Sequence, residues 1–259
     1  MKERIDILLV ERRLVESRVK AQWLIRNGFV IVDGIEIRKP GKRIDNKSEI
    51  TLKAKFPYVG KGGLKLEAAL KAFTINIEKK ICIDIGASIG GFTDCLLKHG
   101  ASKVYAVDTA TDLLHPSLRC EKMKDSVVPL LGIDARKLKE LDELVDFCSI
   151  DVTFSSLKNF FPNIKNMLKL NGDIVALIKP LFEIEAKEKD KFKIIRNPND
   201  LKKILLDLIK WSVNHGVFPY GIIKSPILGK GGSIEFLMHL KIDEANSTFD
   251  PNKIVDEIL

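Results

Sequence analysis

From residue 64 onward the chain alternates short apolar runs with amphipathic stretches, and this limits the folds open to it more than any other feature. The apolar runs are ICIDI (81–85), KVYAVD (103–108), VVPLL (127–131), VDFCSI (145–150), DIVALI (173–178), FPYGII (218–223) and IEFLMHL (234–240). Near-continuous apolar character over five or six residues marks strands covered on both faces. Between most of them lie GFTDCLLKHG, SLKNFFPNIKNML and NDLKKILLDLIKWSVNHG, which read as helices. Strand and helix in turn predict an α/β, doubly wound, mostly parallel sheet, whose ligands gather outside the carboxyl ends of the strands. EIEAKEKDKFK (183–193) reads as a charge-rich loop that could act as a lid.

The front of the chain follows another pattern. Ile5, Leu8, Leu9 and Val10 predict a short helix, and Ser17 stands as the N-cap of a second one across Val19, Ala21, Leu24 and Ile25, closed by Gly28. FVIVDGIEI gives two alternating runs around Asp33-Gly34, a hairpin signal, and SEITLKA supplies another strand. Residues 1–56 carry fourteen Lys/Arg against eight Asp/Glu, whereas the rest of the chain is nearly balanced at 29 against 27. That asymmetry suggests a polyanionic partner for the front segment, although a solvated basic face would give the same count. KAKFPYVGKGG (53–63) has the Pro and Gly content of a linker, so the expected organisation is 1–56, a linker at 57–63, and 64–259.

RIDILLVERRLVESRVKAQWLIRNGFVIVDG, followed by RKP, resembles an S4 RNA-binding domain, a small α+β fold. The resemblance rests on Arg4-Ile5-Asp6, Ser17-Arg18, Ala21, Gly28, the Val-Asp-Gly turn and Lys39-Pro40. It implies that Arg4, Arg18 and Lys39 grip RNA phosphates, with Arg12, Arg13 and Arg26 as helpers. Arginine suits the task because its planar fork binds phosphate bidentately.

IDIGASIGGFTD has the form of a first strand, a glycine turn and a helix start. Gly86 permits the tight turn, and Gly90 and Gly91 let a ligand approach the backbone. The spacing G-x-x-x-G-G, instead of G-x-G-x-x-G, favours a small adenosine-containing cofactor over a dinucleotide. Asp108 at the tip of YAVD is placed to accept from a ribose diol, and Asp134 after the third strand to meet an adenine amino group. Aspartate is also a common turn residue after a strand.

Residues from about 58 to 240 resemble the FtsJ-type methyltransferases, through GGLKLEAAL, DIGASIGGFTD, YAVD, LRC, DVTFSSL, LIKPLFE and GGSIEFL. With the S4-like front, the whole chain resembles the TlyA family, whose members carry haemolysin names and are ribosomal RNA 2′-O-methyltransferases. The resemblance implies a Rossmann-like methyltransferase sheet, S-adenosylmethionine as cofactor, and ribosomal RNA or a ribosomal subunit as partner. It assigns cofactor contacts to Asp84, Gly86, Ala87, Ser88, Gly90, Gly91, Phe92, Asp108 and Asp134, although Phe92 also reads as helix-start packing. It carries the family's Lys-Asp-Lys-Glu tetrad to Lys65, Asp151, Lys179 and Glu235.

The residues themselves point the same way. Lys179 ends a core strand with Pro180 directly behind it, and Asp151 ends the strand before. A ribose hydroxyl is a poor nucleophile, so a nearby group must take or orient its proton. Burial, Lys65 and a cofactor sulfonium favour a neutral Lys179, which would serve as base, with Asp151 orienting it and Glu235 and Lys65 in support. An exposed salt-bridge network is the alternative for any two of these charges.

Other classes fit less well. No apolar run approaches the ~18 residues of a membrane span, and Glu11, Arg12 and Arg13 cut short the apolar stretch that a secretory signal needs. The four cysteines and four histidines show neither CxxC nor metal spacing, so no metal and a cytoplasmic setting are expected. A membrane-perturbing haemolysin, a dinucleotide oxidoreductase and a noncatalytic RNA-binding protein remain as rival readings.

Overall fold

The computed structural model describes residues 1–184, 194–243 and 249–259. The chain falls into two compact units, Met1–Lys61 and Gly62–Leu259. Most of the charge-rich stretch at 183–193 lies outside the described residues. Among the described residues, no helix is long and apolar enough to cross a membrane.

In the first unit, β1 (Lys2–Arg4) runs directly into α1 (Ile5–Glu11), and α2 (Arg18–Arg26) follows. The Ser17 hydroxyl caps α2 by accepting from the Lys20 amide at 3.4 Å, and Gly28, at φ +76°, turns the chain out of it. β2 (Val30–Val32) and β3 (Ile35–Glu36) form the expected hairpin. Asp33 and Gly34 both take positive φ, as a two-residue I′ loop requires. β5 (Ile50–Leu52) pairs with the other edge of β2. A further pair, β1 with β4 (Arg43–Asp45), was not legible in the sequence. Its six residues include one apolar side chain, Ile44, too few to show a period. Leu9, Leu24, Ile25 and Val30 are fully buried in this unit's core.

The second unit opens with α3 (Gly62–Ala72) and then winds as β6 (Ile81–Ile85), α4 (Gly91–Lys98), β7 (Lys103–Asp108), β8 (Val127–Leu131), β9 (Val145–Ile150), α5 (Phe161–Met167), β10 (Leu168–Ile178) and α6 (Pro180–Glu183). Further along the chain come α7 (Pro198–Asn214), β11 (Phe218–Lys224), β12 (Phe236–Lys241) and α8 (Pro251–Ile258). The seven strands make one sheet in the order β11-β12-β10-β9-β6-β7-β8. Every pairing from β10 to β8 is parallel, and β12 lies antiparallel between β10 and β11. α7 buries Leu201, Ile204, Leu205, Leu208 and Ile209, the i, i+3, i+4 stripe of a helix laid on a sheet.

All seven expected strands are present. The fifth starts early, at Leu168, with a register shift before Asp173, and the last starts at Phe236. The chain steps outward from β6 through β7 to β8, then returns to place β9 on the other side of β6. This reversal makes a switch point, and the crevice outside the carboxyl ends of β6 and β9 is where such a sheet takes its ligand.

Candidate active site

The glycine turn occupies one wall of that crevice. The amides of Gly86 and Ala87 both donate to the Val107 carbonyl, at 2.8 and 3.0 Å, which folds the exit of β6 back onto β7. Gly86 sits at φ +82°, and a Cβ there would collide with the Asp151 carbonyl oxygen at the exit of β9. Only glycine meets both conditions. Gly90, at φ +90°, is the N-cap of α4. A Cβ on Gly91 would stand 3.2 Å from the backbone of Gly62 and Gly63, so bare glycines let the starts of α3 and α4 meet.

The aspartates around the turn divide into three kinds. Asp84 lies fully buried beneath it, with Thr93 donating to one oxygen at 2.7 Å and Ser149 to the other at 3.0 Å. Burial pushes this carboxyl up to about 7, against the pull of those two hydroxyls. Its side chain therefore braces the turn from below and offers no surface to a ligand. Asp108 is half-buried at the tip of β7, taking the Ser88 amide at 2.7 Å and the Ala110 amide at 2.8 Å on separate oxygens. Each oxygen keeps a lone pair, so the carboxylate suits a ribose diol. Asp134 is clamped by Arg136, whose Nη2 lies 2.6 Å from Oδ2 and whose Nε lies 2.9 Å from Oδ1. The Arg136 guanidinium holds this carboxyl below the usual range. An adenine amino group would have to share Asp134 with that partner. Phe92 is 3% exposed against Gly62, which makes it helix-start packing and leaves no face for stacking.

The four charged residues come as two ion pairs. Lys179 Nζ lies 2.5 Å from Asp151 Oδ1 and donates to Thr153 Oγ1 at 3.0 Å. Lys65 Nζ lies 2.5 Å from Glu235 Oε2, and both residues are buried. Strand register relates the pairs. Ile178 of β10 faces Phe236 of β12, so Lys179 and Glu235 occupy the next position beyond that rung. Asp151 follows β9, whose amide donates to Ile85 O at 2.9 Å, beside Gly86. The tetrad thus stands at the carboxyl ends of β9 and β10 and the adjoining start of β12.

Several neighbours gave no sequence signal. Phe154 is 85% exposed and held at φ +65°, an uncommon conformation for a bulky residue. Its ring packs on Phe182 of α6 with centroids 5.4 Å apart. Glu183 accepts from Ser156 Oγ at 2.6 Å and from the Leu157 amide at 3.0 Å, tying the end of α6 to the segment after β9. A Cβ at Gly229 would collide with the Glu235 carboxylate. The contacts of Phe154 and Glu183 are long-range, and the alternation that reveals strands says nothing about any of the three.

In the first unit, Arg4 and Arg18 converge on the fully buried Asp6. Arg4 donates at 2.9 and 3.0 Å, Arg18 at 3.0 Å and Gln22 at 2.8 Å. Burial raises the Asp6 carboxyl, and these donors overcome it and hold the group far below the carboxylate range. Arg12 is likewise engaged, donating to the Ser48 carbonyl at 2.7 Å and to that of Asn46. Lys39, Arg13 and Arg26 are exposed.

Residues 3–50 match the S4 domain and residues 58–242 the FtsJ-like methyltransferase. An S4 domain ahead of an FtsJ-like methyltransferase is thus the class that fold and site define. Over 243 residues the chain is 41% identical to YqxC of Bacillus subtilis, covering 92% of this chain and 85% of that one. It is 32% identical over 242 residues to the 16S/23S rRNA (cytidine-2′-O)-methyltransferase TlyA of Mycobacterium tuberculosis, covering 92% and 89%. A solved structure of a hemolysin-named chain from Streptococcus thermophilus matches at TM-score 0.72 and 38% identity, over 99% and 95% of the two chains. The chain belongs to the TlyA family of FtsJ-like methyltransferases.

Proposed function

We propose that the chain methylates the 2′-oxygen of a ribose in ribosomal RNA, in the cytoplasm, with S-adenosylmethionine as donor and a cytidine as target. The observation that carries the reading is Lys179, at the exit of β10, paired with Asp151 at the exit of β9, beside the glycine turn. To act as a base the amine must be neutral, with two N–H donors and one lone pair. Asp151 and Thr153 would take both donors, which leaves the lone pair for the proton of a ribose hydroxyl.

The residues present fit the cofactor. The turn from Gly86 to Gly91 would line its pocket, and Asp108 would hold its ribose diol. When bound, the cofactor supplies a methyl group on a sulfonium. Lys179 would take the proton of the 2′-hydroxyl as that oxygen receives the methyl group, and would then pass it to water. Asp151 fixes where that amine stands. Glu235 holds Lys65 beside it, and the buried pair has little value as a stabiliser, since apolar residues of the same volume would serve as well. Phe154 presents an open ring next to this centre, suited to stack on a base of unpaired RNA.

Incubation with labelled S-adenosylmethionine and separated ribosomal subunits tests the proposal. Label should enter ribosomal RNA and map to a ribose 2′-O-methyl. Label on a base, or none in either subunit, would contradict it.

A further inference from the structure

The turn between β11 and β12 has features that the methyl-transfer site leaves unused. Gly229 packs against the Glu235 carboxylate, so the turn begins at the charged cluster. Gly231 and Gly232 follow at φ +70° and +85°, a pair of left-handed residues that side chains rarely adopt. The space above them is thinly filled, with one side-chain atom in ordinary van der Waals reach of each. A Cβ on Gly231 would find nothing nearer than Ile194 Cδ1 at 3.9 Å, and one on Gly232 nothing nearer than Arg196 Nη2, also at 3.9 Å. Lys230, between Gly229 and Gly231, is exposed, as is Arg196. Among the described residues, neither cation has an acidic partner.

We infer that this turn is a phosphate-binding subsite, in which Arg196 and Lys230 hold a phosphodiester of the RNA chain next to the target ribose. Three things are needed there, and the turn has them. Bare glycine backbone lets a bulky tetrahedral anion come close. A guanidinium alongside can bind two of its oxygens at once. The position is also right, because the 3′-phosphodiester of a nucleotide sits on the ribose carbon next to the one that bears the 2′-oxygen, and the turn adjoins Glu235. An exposed arginine and lysine with no carboxylate to satisfy them lose little by being desolvated against phosphate. Such contacts fix register and carry no sequence preference. The inference rests on the ribose-methylation reading for the identity of the ribose, though not for the presence of the anion site.

Binding to separated ribosomal subunits across a salt series would test it, for the wild type, Arg196→Gln, Lys230→Ala and the control Lys210→Ala. Lys210 lies exposed near the end of α7, which runs back toward the amino ends of the strands. Arg196→Gln and Lys230→Ala should each weaken binding by about tenfold at low salt and flatten the log–log salt slope by about one. Cofactor affinity and the transfer rate at saturating RNA should stay within about twofold of wild type, as expected for contacts of uniform binding. Lys210→Ala should match wild type. Arg196 and Lys230 variants indistinguishable from Lys210→Ala would overturn the subsite. So would variants that lose cofactor binding or saturated rate while RNA affinity holds, since the turn would then serve only to support Glu235. If the wild type binds subunits with the predicted variant pattern yet transfers no methyl, the subsite stands and the methylation reading fails.

Discussion

At Asp84, motif and burial point in different directions. Its motif places it among the cofactor contacts, yet the structure sets it wholly beneath the turn between Thr93 and Ser149. Burial lifts its carboxyl to about 7, well above the ~4 of an unfolded aspartate. The folded state therefore binds the extra proton between those values, and the resulting stability is complete below pH ~4 and lost as pH rises through 7. Melting temperature measured from pH 4 to 8 should fall across that window in the wild type. Asp84→Asn, which keeps the hydrogen-bonding shape without the charge, should flatten the profile. A variant that retains the wild-type slope would show that another group is responsible. Asp6 and Asp173 are both shifted downward, so their contributions disappear only below this range. The pairing of Lys179 with Asp151 was expected from two successive strand ends and is present, but the direct Lys65–Glu235 ion pair was not legible. It joins a helix to a strand 170 residues further on, and a sequence does not state that.

At the scale of elements, the signals that succeeded were local ones. Asp33-Gly34 gave the hairpin because both residues must take positive φ, and Ser17 and Gly28 bounded α2 by capping chemistry. Core strands were legible because burial on both faces makes them apolar throughout. β1 and β4 were missed because three polar-rich residues carry no period, and the early start of β10 because Lys169, Leu170, Asn171 and Gly172 interrupt its apolar run. The glycine turn joins these scales, since Gly86 is fixed both by its own φ and by the loop after β9. Gly86→Ala should cost about 1–2 kcal/mol for the left-handed conformation alone, and the collision with the Asp151 carbonyl adds to it. Its melting temperature should fall by at least about 3 °C, and cofactor affinity should fall with it, because the same shift displaces the backbone that the ligand approaches. Unchanged affinity by calorimetry would show that the ligand lies elsewhere.

Across the whole molecule, charge and chemistry are separated along the sequence. The excess of positive charge sits in residues 1–56, and the paired charges that could move a proton sit in the second unit. The count alone could not distinguish binding cations from structural ones. In the structure Arg4 and Arg18 share buried Asp6 while their side chains stay 40% and 55% exposed, Arg12 holds two carbonyls, and Arg26 and Lys39 are exposed. The double variant Arg26→Gln/Lys39→Gln should therefore weaken binding to ribosomal RNA and reduce its log–log salt slope by about two, with the melting temperature and cofactor affinity unchanged. A slope equal to the wild type's would remove these two side chains from the RNA interface.

In the proposed reaction, the amine at the end of β10 has the central role. Single-turnover transfer from labelled S-adenosylmethionine to ribosomal subunits by Lys179→Ala, with cofactor affinity and melting temperature measured on the same preparation, tests it most directly. Loss of at least about a hundredfold in rate, with binding and fold intact, is the predicted result. Transfer at the wild-type rate would contradict it.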